Sequence, residues 1–208
     1  YRAMVKQSIC LNTVTLNCVL QACSAIGSLE TCKEIHFHLV SLGCEHISMV
    51  TATLIHAYGS CASMVDGQDF FEKLFEPDIV SWNALITGYA QVGRHYEATM
   101  CLERMRNMGL SPDAITLLSI LKACGCIEAI EKGKKVHNEV LSRGFLEKDT
   151  ILGNALVVMY AKLGMLERAQ RVLEELHVRN LVSWSAMIAG YEQQGQDHES
   201  MDCFERMQ

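Results

Sequence analysis

The sequence predicts an all-α protein, a right-handed α-solenoid built from helix-turn-helix pairs that repeat every 31–36 residues. Three observations predict this fold. Half of the residues are hydrophobic and only two are proline, which favours helix. Apolar residues recur at helical spacing, and blocks of the chain resemble one another at recurring steps. One short helix pair cannot bury its apolar face alone, whereas stacked pairs can.

The repeat is clearest where "SWNALITGY" at 81–89 returns as "SWSAMIAGY" at 183–191. The asparagine of the first segment, Asn83, is one of six equivalent positions along the chain. They are separated by 35, 31, 35, 36 and 31 residues: Asn17, Ala52, Asn83, Leu118, Asn154 and Ser185. The steps therefore alternate, and a group of three unequal units returns after 101–102 residues.

These steps predict a single array over residues 1–208. Its predicted units are a partial unit 1–12, the units 13–47, 48–78, 79–113, 114–149 and 150–180, and a partial unit 181–208. We expect two helices in each complete unit.

Unit 79–113 illustrates the predicted helix pair. Its first helix buries an apolar stripe and stops at Gly93, and its second helix buries another and ends at Gly109. The first stripe is Trp82, Leu85, Ile86 and Tyr89, and the second is Ala98, Leu102 and Met105. The small residues Ala84 and Gly88 would let a neighbouring helix approach. We expect core packing at the aromatic residues Trp82, Tyr89, Trp184 and Tyr191.

Composition argues against several classes of protein. Ten cysteines are present without any Cys-x-x-Cys, which favours packing cysteines in a reducing compartment over a metal site. We therefore expect no metal and no cofactor. No apolar run approaches the 18 residues of a membrane span. The chain begins at Tyr1 without a signal peptide, so we expect any targeting segment to lie outside it. The net charge of −6 weighs against phosphate binding.

The segment "DIVSWNALITGYAQVGRHYEATMCLERMRNMGLSPD" (78–113) resembles the pentatricopeptide repeat along almost its whole length. The alternation of 35, 36 and 31 residues resembles the P, L and S repeats of the plant organellar PLS subclass, and tetratricopeptide arrays do not alternate in this way. "CKEIH" (32–36) and "GKKVH" (133–137) resemble the L-type second helix. Units 13–47 and 114–149 would be L-type, 48–78 and 150–180 S-type, and 79–113 and 181–208 P-type.

The resemblance implies binding of single-stranded RNA, one base per repeat, read by the fifth and last residues of each unit. Asn83 with Asp113 then resembles a pair that favours U, and Asn154 with Asn180 one that favours a pyrimidine. Ser185 would be the fifth-residue reader of the last unit. The alternative for Asn83 and Asn154 is a solvated polar position on the first turn of a helix.

The remaining reader positions are less regular. Asn12 closes a unit whose fifth residue lies before Tyr1, and no base is assigned to three further pairs: Asn17 with Ile47, Ala52 with Asp78, and Leu118 with Asp149. The second residues of the units are expected to sandwich bases by apolar contact: Val14, Met49, Val80, Ile115, Ile151 and Val182.

The PLS resemblance also implies a process, the specification of sites for organellar RNA processing, with C-to-U editing as the expected reaction. The zinc deaminases of such systems need His-x-Glu and Pro-Cys-x-x-Cys. The chain has "HYE" and "HNE" but no Cys-x-x-Cys, so we predict no catalytic residues and expect any deaminase domain outside it. Expected partners are organellar RNA and editing-complex proteins, in a mitochondrion or chloroplast, and not a membrane. The alternative function is a protein-binding α-solenoid without RNA readout.

Overall fold

A computed structural model describes residues 12–44 and 47–207, together with the isolated positions 3 and 6. Most of the predicted partial unit 1–12 therefore lies outside the described residues. Within them every regular element is an α-helix, which confirms the all-α class for this part of the chain. No helix there is long and apolar enough to cross a bilayer.

The helices follow one another in pairs. In chain order they are α1 (Thr13–Ile26) with α2 (Leu29–Ser41), α3 (Ser48–Ser60) with α4 (Met64–Phe71), α5 (Ile79–Gln91) with α6 (His95–Asn107), α7 (Ala114–Cys126) with α8 (Ile130–Ser142), the short α9 (Phe145–Lys148), α10 (Thr150–Lys162) with α11 (Leu166–Glu175), and α12 (Leu181–Gln193) with α13 (Asp197–Met207). The first helix of every pair begins at the first residue of a predicted unit.

Unit length varies in the second helices. The first helices α3, α5, α7, α10 and α12 each have 13 residues. Second helices have 13 residues in the longer units but only 8 in α4 and 10 in α11, which belong to the two 31-residue units. In the two 31-residue units the first helix therefore has its usual length, and the second helix is shorter.

The chain forms two compact bodies, residues 1–111 and 112–208. In the first body α3 packs against both α1 and α5, and in the second body α10 packs against both α7 and α12. Gly88 of α5 lies close to α4, where an added Cβ would be 2.8 Å from Met64 Sδ. The equivalent Gly190 in the second body stands in the same relation to Leu166, at 2.7 Å from its Cδ2.

The same side-chain contacts occur within each of the two bodies. Arg104 lies over the Trp82 ring at 5.4 Å and pairs with Glu72 at 2.6 Å. The residues 102 positions later repeat this arrangement, with Arg206 at 5.7 Å from the Trp184 ring and 3.7 Å from Glu174. The group of three units that recurs in the sequence therefore also repeats its side-chain contacts in the structure.

A histidine–tyrosine pair recurs in the same way. His36 Nδ1 lies 2.7 Å from the Tyr58 hydroxyl, and His137 Nδ1 lies 2.9 Å from that of Tyr160. Each pair joins the second helix of one unit to the first helix of the next. The histidines of "CKEIH" and "GKKVH" therefore connect successive helix pairs.

The predicted core positions are largely confirmed. Both apolar stripes of unit 79–113 are buried, as are Trp82, Tyr89 and Trp184, whereas Tyr191 is only partly buried. The turn between α5 and α6 contains Gly93 at φ 77°, a conformation that favours glycine, and α5 stops there as predicted.

Candidate nucleic-acid interface

The predicted last-residue readers begin the first helices. Four of them have extended backbones and accept a hydrogen bond from the backbone N–H three residues later, at 2.8–3.1 Å: Asn12 from Thr15, Asp78 from Ser81, Asp113 from Thr116, and Asn180 from Ser183. The N-terminal N–H groups of a helix lack partners within it, and Asn and Asp side chains satisfy them. These four side chains are thus held at the end of a helix.

Two first helices begin differently. The N-cap of α3 is Ile47, which makes no side-chain cap. Asp149 caps α10 by accepting from the N–H groups of Ile151 and Leu152 at 2.9 and 3.2 Å, and its ψ of 95° differs from the extended 168° to −175° of the other four. Both belong to pairs for which no base is predicted.

The predicted base-sandwiching residues are all solvent-exposed. Each lies in the first turn of its helix with between 44% and 68% of its surface exposed: Val14, Met49, Val80, Ile115, Ile151 and Val182. Isolated apolar side chains are common on protein surfaces, but a recurrence at the same place in six helices is a pattern. Each compact body therefore presents three aliphatic side chains, each two residues after the last residue of the preceding unit.

The predicted fifth-residue readers differ in burial. Asn83 and Asn154 are only 8% and 6% exposed, so the alternative of a solvated position is wrong for both. Asn17, Ala52 and Leu118 are partly buried, and Ser185 is exposed. The Oδ1 atoms of Asn17 and Asn154 are buried and find no hydrogen-bond partner among the described residues. An unpaired buried acceptor costs about 1–3 kcal/mol, which a ligand that donates a hydrogen bond would offset.

The predicted pairs are distributed over both bodies. Asn154 on α10 and Asn180 at the start of α12 lie on helices that pack together in the second body. Asn83 belongs to the first body and Asp113 to the second. The assignment of all these residues as readers stays a prediction.

Hydrogen bonding sets the charge state at one cap. Burial alone would raise the pKa of the Asp78 carboxyl, but hydrogen bonds from Ser48 and from the side chain and backbone of Ser81 outweigh it and lower the pKa. Asp78 is therefore a carboxylate at neutral pH and can only accept hydrogen bonds.

The nine cysteines in the described part of the chain are free, and five of them are buried: Cys23, Cys32, Cys101, Cys124 and Cys203. Burial raises the pKa of Cys32 to about 12 and those of Cys101 and Cys124 to about 11, so these thiols are poor nucleophiles at neutral pH. The prediction of packing cysteines is confirmed for these five, whereas Cys18 and Cys126 are exposed. Among the described residues, no three His, Cys, Asp or Glu side chains group as metal ligands would.

Sequence reasoning missed the hydroxyl three residues after four of the caps. Thr15, Ser81 and Thr116 donate from Oγ to the Oδ1 of the cap at 2.9, 2.7 and 3.0 Å, and Ser183 Oγ lies 3.5 Å from Asn180 Oδ1. The signal was present as a Ser or Thr at the third position of units 13–47, 79–113, 114–149 and 181–208.

Comparisons with known proteins identify the repeats. The PPR repeat family model PPR_2 matches residues 77–126, and the PPR repeat model matches 154–181 and 182–208, so that together they cover just over half of the chain. Three pentatricopeptide repeat-containing proteins of Arabidopsis thaliana are 37%, 36% and 32% identical over 91%, 100% and 100% of the chain: At2g33680, the mitochondrial At4g31070 and the chloroplastic At4g18520. The matches cover only 26%, 33% and 34% of those proteins.

Solved structures share the fold. The pentatricopeptide repeat protein PPR10 from maize superposes on 99% of the chain with a TM-score of 0.76 at 21% identity, over 30% of its own length. PPR10 in complex with an 18-nt psaJ RNA element superposes on 99% of the chain with a TM-score of 0.79, also at 21% identity and over 31% of its length. At this identity the likeness establishes the helical repeat architecture.

Proposed function

Because the chain belongs to the pentatricopeptide repeat family, we propose that it binds single-stranded RNA with about one base per repeat. The observation that carries the proposal is the recurring exposed aliphatic residue at the start of each first helix. It follows a polar last residue in five of the six helices, at Asn12, Asp78, Asp113, Asp149 and Asn180. An aliphatic surface beside a hydrogen-bonding group suits a base, which has apolar faces and a polar edge.

The pair Asn154 and Asn180, which resembles a pyrimidine-favouring pair of the family, offers groups that a pyrimidine can satisfy in unit 150–180. The Oδ1 of Asn154 is a buried acceptor that no residue in the described part of the chain pairs with. The Oδ1 of Asn180 accepts from the helix, which leaves the donor side of its amide for a ligand. Cytosine offers an amino donor beside the N3 acceptor, and uracil offers an N3–H donor between two carbonyl acceptors, so either edge can satisfy one acceptor and one donor.

The acidic net charge is compatible with this mode of binding if apolar contact and hydrogen bonds to bases contribute much of the affinity. Phosphate neutralisation makes affinity fall steeply with salt. We therefore expect a shallow salt dependence for this chain. A protein-binding solenoid is the second candidate, and the excess of 24 acidic over 18 basic residues favours it. Such a protein would show no base preference.

The test is a binding selection from randomised single-stranded RNA with the wild-type chain and the Asn83→Thr variant. With the repeats aligned 5′ to 3′ along the chain, units 79–113, 114–149 and 150–180 should select U, any base, then a pyrimidine. Asn83→Thr should move the first preference from U towards G and leave the third unchanged. If enrichment is flat for the wild type, the protein-binding alternative gains; if U persists in the variant, the reader assignment is wrong.

We further propose that RNA binding by the parent protein specifies a site for organellar RNA processing, with C-to-U editing as the expected reaction. The PLS-like order of unequal units supports this, as do the mitochondrial and chloroplastic names of relatives. Expected partners besides the RNA are editing-complex proteins. Disrupting the gene should abolish C-to-U conversion at a transcript site whose upstream bases match the selected pattern. Intact editing together with a splicing or stability defect would contradict the editing role.

A further inference from the structure

We propose that the hydroxyl residue at the third position of a first helix is a positioning residue for base reading, with Thr116 as the strongest instance. It would fix the side chain of the preceding unit's last residue so that one oxygen faces the helix and the remaining polar group faces the base. This inference rests on the proposed function, because it assigns a role to residues that touch the reader and not the RNA.

Thr116 holds Asp113 by three hydrogen bonds. The Thr116 backbone N–H and hydroxyl donate to Asp113 Oδ1 at 2.9 and 3.0 Å, and Asp113 N–H lies 3.2 Å from Thr116 Oγ1. Thr116 is fully buried, so its side chain has no access to a ligand. The hydroxyl thus constrains both the backbone and the carboxylate of a predicted reader.

The other first helices supply a comparison within the chain. The four caps with a Ser or Thr three residues later share an extended ψ between 168° and −175°. Asp149 has Leu152 at that place, its ψ is 95°, and its carboxylate is shared between Ile151 and Leu152 N–H groups. Where the hydroxyl is missing, a cap of the same residue type has a different ψ and divides its hydrogen bonding between two N–H groups.

When one oxygen of a cap residue is bound to the helix, the second polar group of that side chain is the one left to contact a ligand. An amide whose Oδ1 faces backbone N–H groups must present its NH₂ elsewhere, so Asn180 becomes a donor to a ligand. A carboxylate held in the same way, as at Asp113, remains an acceptor. If the cap side chain rotated freely, an amide could present either its NH₂ donor or its oxygen acceptor to a base. A freely rotating carboxylate would still be an acceptor, but its oxygen would not have one fixed direction.

A second observation points to a ligand in the same part of the chain. The predicted partner of Asn180 is Asn154, which is more than nine-tenths buried and whose Oδ1 accepts no hydrogen bond from the residues that the structure describes. A ligand that contacts both residues would depend on the placement of Asn180 in addition to the capping that Asn180 provides for α12.

The experiment measures base preference by selection from randomised RNA with four variants of the chain. Thr116→Val keeps the shape of the side chain and removes the hydroxyl, and Thr116→Ser restores a hydroxyl. Ser183→Ala removes a hydroxyl that donates to Asn180 O at 2.9 Å and lies only within 3.5 Å of Asn180 Oδ1, so its hold on the side chain is weaker. Thr99→Val is the matched control, because Thr99 is equally buried but donates to Tyr96 O in a second helix.

We expect Thr116→Val to reduce the U preference of unit 79–113 by about three- to tenfold, the size of one lost hydrogen bond. Ser183→Ala should cause a smaller loss of pyrimidine preference two nucleotides further 3′, since unit 150–180 is two units later. Thr116→Ser should retain the wild-type preference, and Thr99→Val should change none. The ¹³C shifts of Asp113 in Thr116→Val should move towards those of Asp149.

A uniform loss of affinity with unchanged base preferences would overturn the proposal and leave only a structural role for the hydroxyl. Unchanged preferences with unchanged affinity would overturn it as well. A wild-type chain without any base preference would instead refute the proposed function on which the inference rests. The two failures are distinguished by the wild-type selection alone.

Discussion

The exposed aliphatic residues of the second body can be removed together, as the triple variant Ile115→Ala, Ile151→Ala, Val182→Ala. Their surfaces are between 57% and 62% exposed. Full burial of such a side chain contributes about 1.5–3 kcal/mol, so covering the exposed part of each contributes ~0.9–1.8 kcal/mol. A base covers one face, about half of that surface, and we expect a loss of about 0.5–0.9 kcal/mol per residue.

The three losses together predict a dissociation constant for single-stranded RNA that rises roughly 10- to 100-fold. The assay is fluorescence anisotropy of a labelled RNA at several salt concentrations. Because no charge changes, the slope of log affinity against log salt should stay the same, whereas loss of a phosphate-binding lysine would reduce it by about one. Unfolding in urea should change by no more than ~0.5 kcal/mol per substitution, since the side chains are exposed.

The control is a triple variant of exposed aliphatic residues on the second helices of the same body, Ile130→Ala, Leu141→Ala and Met201→Ala. It removes comparable side chains from helices that carry no predicted RNA contact. Equal weakening of RNA binding by both triple variants would show that exposed apolar surface binds without regard to position. Undiminished binding by the first triple variant would refute base sandwiching at these residues.

Three further predictions concern the fold. Gly153→Ala should cost about 1–3 kcal/mol in urea unfolding, because its Cβ would lie 2.3 Å from the buried Leu176 Cδ2, whereas Gly125→Ala, with 3.4 Å to its nearest atom, should be neutral or stabilising by up to ~1 kcal/mol; equal costs would contradict the packing. Burial lowers the pKa of His137, so the unfolded chain binds more protons than the folded one below about pH 6.5, and stability falls with falling pH there. The test compares thermal unfolding of the wild type and His137→Gln between about pH 7.5 and 5.5. The free energy of unfolding of the variant should change less with pH than that of the wild type, by up to about 1.4 kcal/mol per pH unit. An equal pH dependence in both proteins would refute the lowered pKa of His137. Double-mutant cycles should give a coupling free energy of about 0.5–1 kcal/mol for the two-bond Arg104–Glu72 pair and below ~0.3 kcal/mol for Arg206–Glu174 at 3.7 Å, and the reverse order would refute the geometric ranking.

The helix starts could be predicted from the sequence because local chemistry determines them. A polar cap precedes five of the six first helices, and apolar residues at helical spacing follow it. The predicted stripes of unit 79–113 are buried for the same reason, since helical spacing alone decides which face of a short helix carries them.

Burial of polar groups could not be predicted in this way. Asn83 and Asn154 are the fifth residues of their helices, where the sequence also allowed solvated positions, and burial at these places depends on the neighbouring helices that pack against them. The histidine–tyrosine bonds depend on two residues 22 or 23 positions apart and on the angle at which helices meet. The role of Thr116 is local, but a threonine in an apolar segment looks like an ordinary core residue until its partner is known.

The constant start of the first helices places three kinds of residue in one hexapeptide. In "DIVSWN" (78–83) or "NLVSWS" (180–185), the cap, the exposed aliphatic residue and the fifth residue lie within six positions. On the proposed reading scheme the cap completes the contact to one base and the fifth residue begins the contact to the next. Exchanging such a hexapeptide between units would therefore change the preferred base at two adjacent nucleotides of the recognised RNA. The second helices, whatever their length, would not be altered.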